Sequence, residues 1–196
     1  MCIRDRNKDN LKARLAYSTV SQLSYIVLGA ALASSAGILG GGMHILTHAF
    51  GKITLFFCAG AIMVTTHKQN ISDMRGIGRV MPVTMIAFSV GALSVIGLPP
   101  FAGAWSKWYL ILGAFEADQA FFIAVLMISS LLSIAYLLPI ITNAFLAPEK
   151  SAQLDGTIRE APIACLIPIL LTASGCIVIF IYPDPFRNLL LQIVTG

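Results

Sequence analysis

Charge is scarce in this 196-residue chain. Asp, Glu, Lys and Arg make up 11% of it, against about a quarter of an average soluble domain. A globule of this size could not cover its surface with so few polar groups, so an ordinary soluble domain is excluded. Cysteine is also sparse. Cys2, Cys58, Cys165 and Cys176 form neither a CxxC pair nor a Cys/His cluster at metal-ligand spacing, which argues against a bound metal or a redox centre. Cys165 and Cys176 would lie about 16 Å apart along one helix, too far for a disulfide, and all four read as small apolar residues. Residues 1–8 are polar and charged, without the apolar run of a signal peptide. They join abruptly to a segment that reads like mid-protein sequence, so they are expected to be a truncated or non-native lead-in. No interleaving of basic and aromatic residues points to nucleic acid.

What is abundant is apolar. Hydrophobic residues make up 57% of the chain and its mean hydropathy is +0.84. Several apolar runs exceed the roughly 18–20 residues that a helix needs to cross a bilayer. Five crossings are predicted. The first covers residues 11–33, with Lys8, Lys12 and Arg14 before or within its first turn. Its polar residues Tyr17, Ser18, Ser21, Gln22, Ser24 and Tyr25 recur largely every three or four positions, so one stripe should face other helices. An uncharged link at 34–42 overlaps a second span at 38–66. The triplet Gly40, Gly41 and Gly42 lacks the Lys-Ser/Thr of a phosphate loop and reads as a close-packing device.

A polar connection, 67–81, carries Lys68, Asp73, Arg75 and Arg79. The third span opens on Pro82, which suits a first helical turn, and runs to Ile96. There Gly97, Leu98, Pro99 and Pro100 interrupt it, because proline removes a backbone donor and clashes with the preceding turn. Helix is expected again over 101–115. Unbroken, residues 82–116 would reach about 50 Å, more than a bilayer core. The fourth span covers 119–146 with Pro139 inside. The link 147–161 holds Glu149, Lys150, Asp155, Arg159 and Glu160. A fifth span, 162–182, precedes a tail at 184–196.

Lys and Arg concentrate before the first span and in the links 67–81 and 147–161. The links around Ser35 and Asp118 have none. The positive-inside rule then places the three basic segments in the cytoplasm and the C-terminus outside, provided that 82–116 crosses once.

Two groups of residues are candidates for chemistry. Lys107 follows the break, within apolar sequence flanked by Trp105, Trp108 and Tyr109. A lysine at membrane depth is costly and usually functional, and burial disfavours its charged form, which would let it load and release a proton. The plainer reading is a lysine snorkelling to an interface among belt aromatics. His44, His48 and Lys52 are spaced i, i+4, i+8 and form a stripe about 12 Å long, suited to a proton relay. The plainer reading is structural histidines bonded to neighbouring helices. The break at Gly97, Leu98, Pro99 and Pro100 frees backbone groups, tolerated only against protein or water. Such breaks mark ion sites in transporters, and otherwise are simple kinks. Asn70 and Ser72 match a glycosylation acceptor by chance. Glu116 and Asp118 read as solvated.

Several stretches together resemble the proton-conducting subunits shared by respiratory complex I and Mrp-type cation/proton antiporters. They are residues 9–25 (DNLKARLAYSTVSQLSY), 44–57 (HILTHAFGKITLFF), 75–82 (RGIGRVMP) and 97–107 (GLPPFAGAWSK). The resemblance implies an all-α membrane fold of about fourteen helices in two inverted five-helix repeats. This chain would supply the tenth to fourteenth: a second repeat and final helix at 9–183, then the tail. It implies that Lys107 is a proton-loading site and that His44, His48 and Lys52 belong to a central hydrophilic axis.

The wording over residues 105–112 looks closest to the antiporter's D subunit. The expected function is therefore proton translocation in a multisubunit Na+/proton antiporter, in a bacterial-type cell membrane. Its partners would be other membrane subunits, the lipid bilayer, protons and Na+, with no cofactor bound. The alternatives are a non-redox subunit of an NADH-quinone oxidoreductase and a structural scaffold without transport. Neutral replacement of Lys107 and His48 would be tolerated only by the scaffold.

Overall fold

Asn10 starts the first helix: its side-chain oxygen accepts a bond from Ala13 N at 3.0 Å, satisfying one of the amides that a helix start leaves open. The computed structural model describes residues 8–147 and 158–195. Helix α1, Leu11–Ala31, ends before Ala33, whose φ is 49°. Ser34 then caps α2, Ser35–Thr66, through a bond from Gly37 N at 3.1 Å. A 3-10 turn at Ile71–Asp73 and a short helix α3, Ile77–Val80, fill the polar connection. The broken span follows as α4, Pro82–Ile96, and α5, Gly103–Glu116. Helices α6, Ala120–Phe145, α7, Ile163–Ile181, and α8, Asp184–Thr195, complete the order. Among the described residues the secondary structure is helical, apart from one bridge pairing Asn10 with Asn70.

Three helices, α2, α6 and α7, are each long and apolar enough to cross a membrane by length and composition. Helix α1 has the length, at 21 residues, but its buried polar stripe lowers its hydropathy. The broken span crosses as two short halves, α4 of 15 residues and α5 of 14. Helices α6 and α7 turn apolar side chains such as Ile128, Leu131, Ile163 and Leu171 outward, as lipid-facing helices do.

Helix α2 is the pillar. It packs on α1, α4, α5, α7 and α8, most extensively on α5. Glycine permits the closest approach: a Cβ built on Gly40 would lie 2.6 Å from Leu110 N, and one on Gly113 would strike the Gly37 backbone. The glycine triplet, expected in or beside a link, therefore lies inside α2. Ser34 supplies a cap early enough for the helix to begin at Ser35, and the bare backbone earns its place in contact with α5.

Gly97 ends α4 at φ 87°, a conformation that favours glycine. Leu98 N donates to Leu93 O at 3.2 Å and Gly97 N to Ser94 O at 3.0 Å, the paired bonds of a Schellman motif. The discontinuity thus falls where the glycine and prolines predicted it, although helix resumes at Gly103 rather than Phe101. Gly97 is half-buried, while Leu98, Pro99 and Pro100 stand at the surface of this chain. Within the tail, residues 184–195 form α8. Phe186, Leu189, Leu190 and Ile193 recur at helical spacing, and a Cβ on Gly42 would meet Leu190 at 2.8 Å. Part of the link 147–161 lies outside the described residues, as do Glu149, Lys150, Asp155 and Cys2.

Helix α7 braces the broken span at both ends. At the break, Ala102 N donates to Cys176 O at 2.9 Å and Trp105 Nε1 to Phe180 O at 2.9 Å. At the far end, Glu160, just before α7, accepts from Val83 N at 2.5 Å and from Thr84 Oγ1 at 2.8 Å. Glu116, expected to be solvated, also closes a helix: its Oε2 accepts from Ala36 N at the start of α2, at 3.1 Å.

The glycine contact yields a paired test. Gly40→Ala should destabilise the assembled protein by about 1–3 kcal/mol, the usual cost of overpacking. Gly60→Ala, where nothing lies within 4 Å of the new methyl, should be neutral or slightly stabilising. Thermal unfolding of the purified assembly reads both.

Candidate functional site: a polar axis beside the helix break

Lys107 sits one turn into α5 and turns inward. The residue is 8% exposed, whereas its neighbour Trp108 is 56% exposed. Its Nζ donates to Ile96 O at 2.5 Å and to Ser130 Oγ of α6 at 2.9 Å, and lies 5.3 Å from the centre of the Tyr25 ring. The Ile96 carbonyl is available because α4 stops there: the last carbonyls of a helix have no partner within it. The lysine stem lies over Gly97, where a Cβ would come within 2.6 Å of Lys107 Cδ. Any larger residue at 97 would push the ammonium off its acceptor. A cavity of about 520 Å³ lies beside the lysine, lined by Gly97, Leu98, Trp105, Trp108, Met127 and Ser130 among others.

The second group is buried together on α2. His44, His48 and Lys52 all belong to the interior, and the two imidazoles stack at 5.6 Å between centroids. Lys52 Nζ donates to Leu15 O at 3.0 Å and to Ser18 Oγ. Both acceptors belong to α1, whose expected polar stripe divides. Ser18, Gln22 and Tyr25 are buried, Tyr17 and Ser21 are half-buried, and Ser24 faces outward.

Two residues, Ser106 and Tyr25, join Lys107 to the histidines. His44 Nδ1 lies 3.0 Å from Ser106 Oγ, the residue just before Lys107. Ser106 Oγ is also within bonding distance of Gly103 O, at 3.0 Å. A hydroxyl has one proton to give, so when Ser106 donates to Gly103 it receives from His44. The Tyr25 ring stands between the groups, 5.2 Å from the His44 ring, and its hydroxyl donates to Ser129 Oγ at 2.7 Å. Further along, Gln22 Nε2 donates to Ser133 Oγ at 3.4 Å. Ser106 and the α6 serines 129, 130 and 133 escaped sequence reasoning. Serine is common in apolar helices, and only the 129/130/133 spacing could have signalled a shared face.

Several buried polar atoms on this axis have no hydrogen-bond partner among the described residues: His44 Nε2, both ring nitrogens of His48, and Gln22 Oε1. Buried polar atoms of this kind are ordinarily satisfied by internal water. The arrangement is therefore a line of titratable and hydroxyl groups, some bonded directly and others with spare capacity, running from Lys107 to Lys52.

With this geometry in place, the comparisons are specific. Residues 4–133 match the family described as NADH:quinone oxidoreductase/Mrp antiporter, TM, and the chain belongs to that family. It is a multi-pass membrane protein. It is 40% identical over 188 residues to NADH-quinone oxidoreductase subunit N of Desulforudis audaxviator (strain MP104C), an alignment covering 91% of this chain and 38% of the relative. Its fold matches a chain of the Mrp complex from Dietzia sp. DQ12-45-1b with a TM-score of 0.89 at 24% identity, over 98% of this chain and 44% of the other. It also matches a chain of the membrane-bound sulfane sulfur reductase, an archaeal respiratory membrane complex. That TM-score is 0.87 at 29% identity, over 99% of this chain and 39% of the other. The chain thus spans about two fifths of the length of these proteins. The two solved structures come from multisubunit membrane complexes.

The contact of Lys52 with α1 can be weighed directly. Ser18→Ala removes one acceptor from a buried ammonium and should cost about 1.5–3 kcal/mol, the range for bonds to charged groups. Ser24→Ala, on the outward face of the same helix, should change stability by less than about 0.5 kcal/mol. Denaturation of the purified assembly compares the two.

Proposed function

We propose that this chain forms a proton-translocating part of an antiporter-like membrane subunit, with Lys107 as the group that loads and releases the proton. The observation that carries the reading is the placement of Lys107. A buried ammonium sits on the carbonyl that ends a broken half-helix, and Ser106 and Tyr25 connect it to a histidine stripe. An ammonium near the centre of a membrane costs about 2.5–3.5 kcal/mol on insertion scales. The residue can meet that cost by bonding when charged and by losing its proton when the charge is not held. In this reading protons pass between Lys107 and the axis of His44, His48 and Lys52, through hydroxyls and through water at the axis atoms with spare capacity.

The complex this part serves has two readings. The first is a multisubunit Na+/proton antiporter of the Mrp type, with other small membrane subunits as partners, favoured by the fold match to the Mrp complex. The second is a non-redox subunit of an NADH-quinone oxidoreductase, favoured by the 40% identity to a subunit N. Purification of the native complex separates them. Small membrane subunits alone favour the antiporter, and a co-purifying soluble oxidoreductase arm favours the second reading. In both, the basic links put residues 67–81 and 147–161 on the cytoplasmic side of a bacterial-type membrane, with the C-terminus outside. Cysteines placed in the two links should react with impermeant thiol reagents from the cytoplasmic side only.

Transport decides the role of Lys107. Lys107→Ala in the complete complex should reduce proton-coupled transport in vesicles to the level of protein-free vesicles, at unchanged assembly. Lys107→Arg should also impair it, because a guanidinium does not give up its proton in the working range. If Lys107→Ala moves ions as well as the parent, the lysine is an anchor and the chain is a scaffold.

A further inference from the structure

The link residue Glu160 makes contacts that nothing in its sequence setting announces. Helix α4 begins on Pro82, and its preceding residue, Met81, supplies no side-chain cap. Pro82 has no N–H, so the first amide needing a partner is that of Val83. Glu160, 77 positions away in sequence, accepts it with Oε1. Its other oxygen accepts from the hydroxyl of Thr84. Beside it, Arg159 N donates to Val80 O at 2.9 Å. One carboxylate therefore closes the start of α4 from outside. The other end of the same helix presents Ile96 O to Lys107 Nζ.

A helix carries partial positive charge at its start and partial negative charge at its end. Helix α4 meets a carboxylate at the first and an ammonium at the second. From Val83 to Ile96 the rod is about 20 Å long. A stiff rod passes displacement along its length, so releasing its start loosens its end, and with it the carbonyl that accepts the lysine's hydrogen bond. The lysine stem packs over Gly97, which makes that contact sensitive to small displacements. On the α7 side, bonds to Ala102 and Trp105 hold the start of α5, which carries Lys107. Glu160 holds the acceptor half and α7 holds the donor half.

We infer that Glu160 is a positioning residue for Lys107, acting through the rod of α4 to keep the Ile96 carbonyl on the ammonium. The inference rests on the proposed role of Lys107 in proton transfer and adds the element that sets its geometry. Loosening the bond leaves the ammonium without its carbonyl acceptor, so transport should slow while the complex still assembles. A lost helix cap changes an equilibrium by about threefold to tenfold.

The experiment uses the intact complex with three variants: E160A, E160Q and T84V. Transport is measured in vesicles at matched protein levels, and hydrogen exchange of the amides at residues 93–98 is measured on the same preparations. Glu160→Ala should raise exchange at those amides about threefold to tenfold and slow transport by a similar factor. Glu160→Gln keeps an acceptor for Val83 N and should restore both toward the parent. Thr84→Val removes one of the two bonds and should give a smaller change in the same direction, which also serves if E160A does not assemble. Raised exchange with transport at the parent rate would reduce Glu160 to a structural cap and overturn the inference. Unchanged exchange at residues 93–98 would overturn it too. Failure of the underlying reading looks different: there the Lys107→Ala complex transports like the parent, whatever the Glu160 variants do.

Discussion

A bond between the Lys107 ammonium and the Ile96 carbonyl organises this molecule. Each partner alone is a liability in a membrane. The carbonyl at a helix end has no partner in its own helix and no water within hydrocarbon to replace one, and the ammonium is costly to bury. Together each removes the other's cost. The arrangement needs a helix that stops at membrane depth, which explains the glycine at φ 87° and the prolines behind it. It also needs the second half-helix to start close enough for a four-carbon side chain to reach back to that carbonyl. A glycine at 97 allows that reach, since a Cβ there would collide with the lysine stem.

The rest of the bundle holds those two half-helices in register. Helix α2 approaches α5 backbone to backbone at Gly40 and Gly113. The close approach brings Ser106 to His44 and Tyr25 between His44 and Lys107. Small residues thus set the distance at which polar ones can bond, as expected where apolar burial gives helices no preference for one another over lipid. Helix α7 and Glu160 grip the break and the far end of α4.

Much of this was legible in sequence, and for definite reasons. Proline and glycine act locally, so the break at Gly97 and the start at Pro82 could be placed from covalent chemistry alone. A charged residue in an apolar run is conspicuous, which singled out Lys107 and Lys52. The i, i+4, i+8 spacing of His44, His48 and Lys52 put them on one face whatever the neighbours were. The missed features are those in which an ordinary residue acquires meaning from a distant one. Glu160 is one charge among several in a link until it is seen on Val83. Glu116 looks solvated until the start of α2 is found beside it. Ser106, Ser129 and Ser130 are common in apolar helices and bear no mark of their partners. The tail at 184–195 was too short and too weakly apolar to read as a span, yet its amphipathic period makes α8.

The pattern of satisfied and unsatisfied groups bears on whether the axis is a lock or a path. A purely structural network should pair all its polar atoms, because a half-satisfied network is worse than an apolar core. The ends of this axis follow that rule: Lys107 and Lys52 both donate to carbonyl and hydroxyl oxygens. The middle departs from it. His44 keeps a free nitrogen and His48 keeps two among the described residues, with Gln22 Oε1 also open nearby. Those are the positions where a relay needs spare donors and acceptors, since an imidazole passes a proton by taking it on one nitrogen and giving it from the other. Buried lysines at the two ends and uncommitted imidazoles between them are costly features for a scaffold. For a chain that moves protons, they are what the chemistry requires.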